Sequence, residues 1–274
     1  MEKHALKQAD YIPVRHGSTL SYGGSQMWFS RQTGTGRERA IHGWGCGVVA
    51  ACDLLLYLAR RDDAAITPLN VKLAHAEEID EADYLDYLKT FERHYSRVWE
   101  PFGIIGAGLA MALDRYFRIF RLPYRARWRT MLDNAKAQTR IEAMLDSDLP
   151  VILSLPPIYT ERGALRLYSG APTEEDDRGR VMKYRAFGGH FITVTALETG
   201  DAGRRTLTAS SWGKQYRIDL ADYERRTDTP AGLLASGMVE ITPLAGPRRP
   251  AKITVCVRGK NTSIPVAERE KNGL

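Results

Sequence analysis

Three short stretches of the 274-residue chain carry residue types that can do covalent chemistry. The first is GWGCG, which places Cys46 immediately before the apolar run CGVVAACDLLLYLAR. A run apolar on all sides is the pattern of a central, buried helix, so Cys46 is predicted at its N-terminus. There, unpaired N–H groups and the positive end of the helix dipole lower a thiol pKa and can hold an oxyanion. The flanking Gly45 and Gly47 let backbone and substrate approach closely. The second stretch is FGGHFITV, where His190 follows Gly189 and opens a strand. An imidazole there is placed to take the proton of a thiol nucleophile. The third is TASSWGKQY, with Ser210 at the end of the next strand. Its hydroxyl is expected to bond the other imidazole nitrogen and fix the tautomer, with Trp212 covering that bond from water. His42, four residues before the cysteine, is the alternative imidazole for the same cleft. The remaining cysteines, Cys52 in the apolar helix and Cys256 in an apolar strand, suit buried packing roles.

The elements that must position these groups follow from periodicity. Helical spacing recurs over Glu81 to Val98, Ile104 to Phe120 and Ala135 to Leu145, and Pro123 bars the second from continuing. Short apolar or alternating runs predict strands at VILSL (151–155), His190 to Leu197, Arg205 to Ala209, Gln215 to Leu220, Gly237 to Ile241 and Ile253 to Val257. Helices first and strands afterwards predict an α+β fold. Residues 17–43, rich in Gly, Ser, Thr and Arg, read as a long loop or short strands. The expected organisation is a loop-rich segment over 1–40 and one domain over 41–246, with a helical part at 44–148 and a sheet part at 150–242. A basic terminal segment, 247–274, completes it.

Cys46 and His190 lie 144 residues apart, inside the ~130–150 typical of a papain-type cysteine and histidine. With that order of nucleophile, base and Ser-Trp-Gly, the sequence resembles the papain-like cysteine peptidases. It is closer to the compact bacterial branch that includes the double-glycine leader peptidases than to the cathepsins. The resemblance covers roughly residues 40–60 and 186–220. It implies a Cys-bearing central helix packed on a mostly antiparallel sheet, with Cys46 as nucleophile and His190 as general base and acid. It also implies a peptide or amide substrate cleaved through a thioester. Ser211-Trp212-Gly213 matches the Ser-Trp-Gly that follows the family's orienting Asn. Ser210 stands in place of that Asn, and Ala40 stands where the family carries an oxyanion Gln. Gln32, Gln26, Arg39 and His42 are the nearby substitutes, with Trp44, Gly45, Gly189, Ser211 and Trp212 expected around the cleft. Acyl or peptidyl transfer, and a non-catalytic peptide-binding module, are the alternative uses of such a site.

Other classes fit less well. Of the formal charge of +6, a net of five falls in 247–274, where seven basic residues face two acidic ones. The body therefore has no bias towards nucleic acid. The tail also lacks the aromatic interleaving of a single-strand platform. No cysteine spacing suits zinc, and the acidic run Glu174 to Asp177 reads as a solvated loop, so no metal or cofactor is expected. The glycines of 103–108 imitate a dinucleotide fingerprint but follow no strand, and close helix–helix contact is expected there instead. The N-terminal MEKHALKQADYIPVRHG has no apolar core, and no apolar stretch approaches the ~18 residues of a membrane span. A cytoplasmic location without membrane association is the expectation.

Overall fold

The computed structural model describes residues 2–130, 134–155, 165, 167–168, 189–200, 203–228, 236–246, 252–257 and 260–265. The chain opens with β1 (Glu2–Ala5), β2 (Val14–His16) and β3 (Thr19–Leu20), then a 3-10 turn at Gln26–Trp28. Helices α1 (Gly36–Trp44), α2 (Cys46–Arg61) and α3 (Val71–Ala74) follow, then β4 (Ile79–Asp80), α4 (Glu81–His94) and α5 (Gly106–Ile119). Next come β5 (Tyr124–Thr130), α6 (Asn134–Asp146), β6 (Val151–Leu155), β7 (His190–Thr199), β8 (Arg205–Ser211) and β9 (Lys214–Asp219). The last elements are α7 (Leu220–Thr227), β10 (Gly237–Pro243), β11 (Lys252–Val257) and β12 (Lys260–Pro265).

The main sheet has seven strands in the order β5-β10-β6-β7-β8-β9, with β1 added on β7, and its strand pairs are antiparallel. The protein is thus α+β. Helix α2 is its centre. Every residue from Gly47 to Ala59 is buried, because the sheet covers one side of the helix and α3, α4 and α5 cover the other. Each leucine of the Leu54–Leu56 run contributes ~1.5–3 kcal/mol by leaving water. Helix α4 starts where Asp80 accepts from the Ala82 N–H, a side-chain cap. It buries Tyr84, Tyr87, Leu88 and Phe91, and α5 buries Leu109, Leu113, Tyr116 and Phe117. Among the described residues no single helix is long and apolar enough to cross a membrane.

Several expectations are revised. Residues 36–44 form a helix rather than loop, started by a reciprocal capping box between Thr35 and Glu38. Strand β5 falls inside the region expected to be helical. Its alternation of Tyr124, Ala126 and Trp128 with three arginines is the period-two signal. Among the glycines of 103–108, Gly106 serves helix–strand contact: a Cβ there would meet the Trp128 ring of β5 at 2.2 Å. Gly103, before α5, packs on the end of α1, where a Cβ would meet the Trp44 carbonyl at 3.0 Å. The strand expected at Ile253 to Val257 is present as β11 and pairs with β12 in a separate hairpin. The acidic run Glu174 to Asp177 lies outside the described residues, as does most of the basic tail.

Candidate active site

Helices α1 and α2 meet at Gly45 with a bend of 84°. A side chain at Gly45 would collide with the Ile41 carbonyl at 2.5 Å, so glycine is what permits the corner. The first backbone bond of α2 runs from Val49 N–H to the Gly45 carbonyl. Cys46 therefore begins the helix, among N–H groups that lack intrahelical acceptors. One face of α2, formed by Cys46, Val49, Ala50 and Asp53, lines a small cavity against β7 and β8. His190, Ser210, Ser211 and Trp212 line the same cavity, and so does Gln26. Its volume is about 10 Å³, roughly the room of one water.

His190 is buried, and its Nε2 lies 2.7 Å from Ser211 Oγ. The Trp212 ring stacks on the imidazole at 4.1 Å with an interplanar angle of 12°. That contact depends on the turn joining β8 to β9. Ser211 pairs with Lys214 across a two-residue hairpin, a turn that commonly needs positive φ at both central positions. Trp212 has φ +49° and Gly213 φ +73°. A non-glycine residue in the left-handed region costs ~1–2 kcal/mol, and the buried stacking offsets it. The Ser-Trp-Gly string is therefore a hairpin that lays an aromatic ring over the imidazole.

The Ser210 expectation needs correction. Ser210 Oγ donates to the Tyr22 carbonyl at 2.6 Å, and the hydroxyl on His190 belongs to Ser211. Neighbouring residues of a strand point to opposite faces, so only one of the two serines can reach the ring. The oxyanion candidates also sort themselves. Gln32 is exposed on a turn and does not line the cavity. Gln26 is buried and does; it donates one N–H to the His42 carbonyl at 3.1 Å. His42 places Nδ1 2.6 Å from the Phe29 carbonyl, and neither it nor Trp44 lines the cavity. Gly189 has φ +87° and turns the chain into β7.

Of the nearby substitutes for the oxyanion Gln, Gln26 is the one that reaches the cavity, arriving from 20 residues upstream of the cysteine through tertiary contacts. One cavity residue has no place among the expected ones: Asp53, the lone charged residue between Cys46 and Ala59 and seven positions after the cysteine, on the same helix face. Asp53 is 1% exposed. Its carboxyl accepts from Tyr84 Oη at 2.5 Å and from the Gly24 N–H at 3.0 Å. Burial raises its pKa to about 7, against the lowering effect of those bonds. The Gly24 loop is in turn tied to the Ser-Trp-Gly hairpin. Tyr22 N–H donates to the Gly213 carbonyl, and Gly213 N–H to the Gly24 carbonyl, each at 2.9 Å. Any Cβ at Gly24 would overlap the Tyr84 hydroxyl at 1.9 Å. The N-terminal segment is thus built into the site rather than laid over it.

The electrostatics are dominated by desolvation, although Cys46 itself is half-buried. Burial pushes the Cys46 thiol up; hydrogen bonds to the backbone of Phe191, Gly47 and Cys46 itself oppose this without overcoming it. Burial alone pushes His190 down to about 3. Both shifts favour the uncharged forms, thiol and neutral imidazole. The thiolate expected from the helix N-terminus is outweighed by desolvation. Cys52 is buried, as expected, and burial pushes its thiol well up. Among the described residues no cluster of His, Cys, Asp and Glu is arranged to hold a metal ion. Neither a protein-family model nor a curated protein sequence matches the chain.

Proposed function

We propose that the protein is a papain-like cysteine peptidase or amidase acting through Cys46 and His190. The observation carrying this reading is convergence. A helix-start thiol, a buried imidazole with a serine on Nε2 and a tryptophan on its face, and a glutamine amide line one cavity. They come from four separate parts of the chain. A Cys-bearing helix on an antiparallel sheet, with the histidine on an adjoining strand, agrees with the resemblance drawn from the motifs.

The shifts favouring an uncharged thiol and imidazole support attack coupled to proton transfer. Cys46 Sγ attacks the substrate carbonyl carbon as its proton passes to His190, so no thiolate accumulates beforehand. With Nε2 engaged by Ser211, Nδ1 receives that proton. The oxyanion is held by N–H groups at the start of α2 and by the second N–H of Gln26. The tetrahedral adduct collapses, His190 returns the proton to the leaving amine, and a Cys46 thioester remains. Water, deprotonated by His190, then releases the acid and regenerates the thiol.

Acyl-enzyme capture tests the reading. Incubation with p-nitrophenyl acetate is expected to add one acetyl group, mapped by mass spectrometry to Cys46. Cys46→Ala abolishes the adduct and Cys52→Ala preserves it. Equal acetylation of all three proteins, or none of the wild type, sinks the proposal.

A second reading, a peptide-binding module that keeps the fold without catalysis, is favoured by the ~10 Å³ cavity and the unactivated thiol. The readings part on alkylation. Catalysis requires substrate-induced opening, so iodoacetamide labelling of Cys46 has a midpoint above the ~8.5 of free cysteine. An added peptide amide substrate speeds that labelling at neutral pH. An unchanged rate with every peptide supports the binding module.

A further inference from the structure

A groove of about 600 Å³ lies between α5 and β5. On the helix side it is lined by Ala107, Gly108, Met111 and Arg115, and on the strand side by Arg127 and Trp128. Strand β5 ends the main sheet, with β10 on one edge only. The Ala126 N–H points away from β10 and donates to Asp114 Oδ1 at 3.2 Å. The strand repeat puts the N–H and C=O of Trp128 on that same outer edge.

The charges of the groove are unbalanced. Arg118 pairs with Asp114 at 3.4 Å and Arg129 with Glu240 at 2.7 Å. Arg115 and Arg127 are exposed and have no carboxylate partner among the described residues. Met111, which lines the groove, is 71% exposed, and Trp99, Phe102 and Ile105, in the segment that leads into α5, are 68%, 75% and 70% exposed. Ile105 lies beside Gly108 of the groove. These solvent-facing apolar side chains, the rim, have the character of an interaction surface. In the same segment Gly103 sits against Trp44, and Ile104 fills the space beside Gly47. The Trp128 ring meets Phe191 edge-on at 6.4 Å.

We propose that this groove docks an extended polypeptide segment in which acidic and apolar side chains alternate. Its backbone pairs with Trp128, its acidic side chains meet Arg115 and Arg127, and its apolar ones cover Met111 and the rim. An extended strand has both features the groove asks for: backbone groups for a sheet edge, and opposite chemistry on its two faces. The concavity suits a strand and not a flat lipid surface. The proposal rests on these residues and not on catalysis at Cys46.

The test is fluorescence anisotropy on the full chain, with a fluorescein-labelled peptide of repeating Glu-Val and its repeating Lys-Val counterpart. Vesicles of phosphatidylcholine and phosphatidylserine are assayed beside them by co-sedimentation. The expected result is at least ~10-fold tighter binding of the Glu-Val peptide at low salt, a preference that fades as salt screens it. The double variant Arg115→Glu/Arg127→Glu reverses the preference, and Arg115→Gln/Arg127→Gln removes it. Both variants change only exposed side chains, and circular dichroism checks their fold. Cys46→Ala leaves binding unchanged, which separates this proposal from the fate of the catalytic one. Equal affinity for the two peptides overturns it, as does a preference that survives charge reversal. Vesicle binding without peptide binding assigns the surface to membranes and also overturns it.

Discussion

The Cys46 cavity and the α5–β5 groove lie close together and are opposites. The cavity holds about 10 Å³, the groove about 600 Å³. In the cavity burial disfavours the charged form of each ionisable group: Asp53 is raised to about 7, His190 lowered to about 3, and the Cys46 thiol pushed up. In the groove Arg115 and Arg127 are exposed to solvent. The two sites are suited to different work. A small, desolvated pocket can enforce geometry and proton position but has no room to choose a ligand. An open charged groove can choose a ligand but cannot shift a proton.

Substitutions sharpen or break that contrast. The largest effect is expected from Asp53→Asn, read as stability against pH. Asp53 is protonated in the folded protein up to about pH 7, whereas the unfolded chain loses that proton near pH 4. Between those values the native state binds more protons, so this contribution falls as pH rises, by ~4 kcal/mol over the window. His190 acts oppositely. Its lowered pKa means that stability is lost as pH falls from about 6.5 towards 3. The difference between wild type and Asp53→Asn isolates the carboxyl, because both proteins keep the histidine. Denaturant titrations from pH 4 to pH 8 should show wild type losing stability relative to the variant. A constant difference would mean that Asp53 is not desolvated and the pocket is wetter than described.

Next comes Gln26→Ala. Removing one oxyanion donor typically costs ~10²–10³ in rate, so acetyl-Cys46 formation is expected to slow by that factor with the fold intact. An unchanged rate would remove Gln26 from the proposed mechanism. The smallest effect is expected in the groove. Met111 is 71% exposed, and Met111→Glu should change stability by no more than ~0.5 kcal/mol. A loss of several kcal/mol would show that the rim is packed in solution, and the contrast between the two regions would fail.

Some of this organisation is written locally. The all-round apolar run specifies a buried α2, and the runs at 151–155 and from His190 onward specify β6 and β7 within a residue or two. Positions with weaker local patterns were harder to read. Helix α1 depends on a capping box inside a Gly- and Arg-rich stretch, where composition argues for loop. Strand β5 alternates cleanly but carries three arginines, and they read as surface until the strand is seen at the edge of a sheet.

Propensity and periodicity act over a few residues, and they suffice to put Cys46 at the start of a helix and His190 at the start of a strand. That Ser211 rather than Ser210 reaches the imidazole is a matter of tertiary structure, since it depends on which face of β8 meets β7. Tertiary structure also decided that Gln26 and Asp53 complete the cavity, since their contacts come from separate parts of the chain. The protonation of the site was decided there too. A helix N-terminus favours a thiolate and exposure keeps an imidazole basic, but desolvation is set by everything packed around the groups. Here it reverses what the local sequence alone would give.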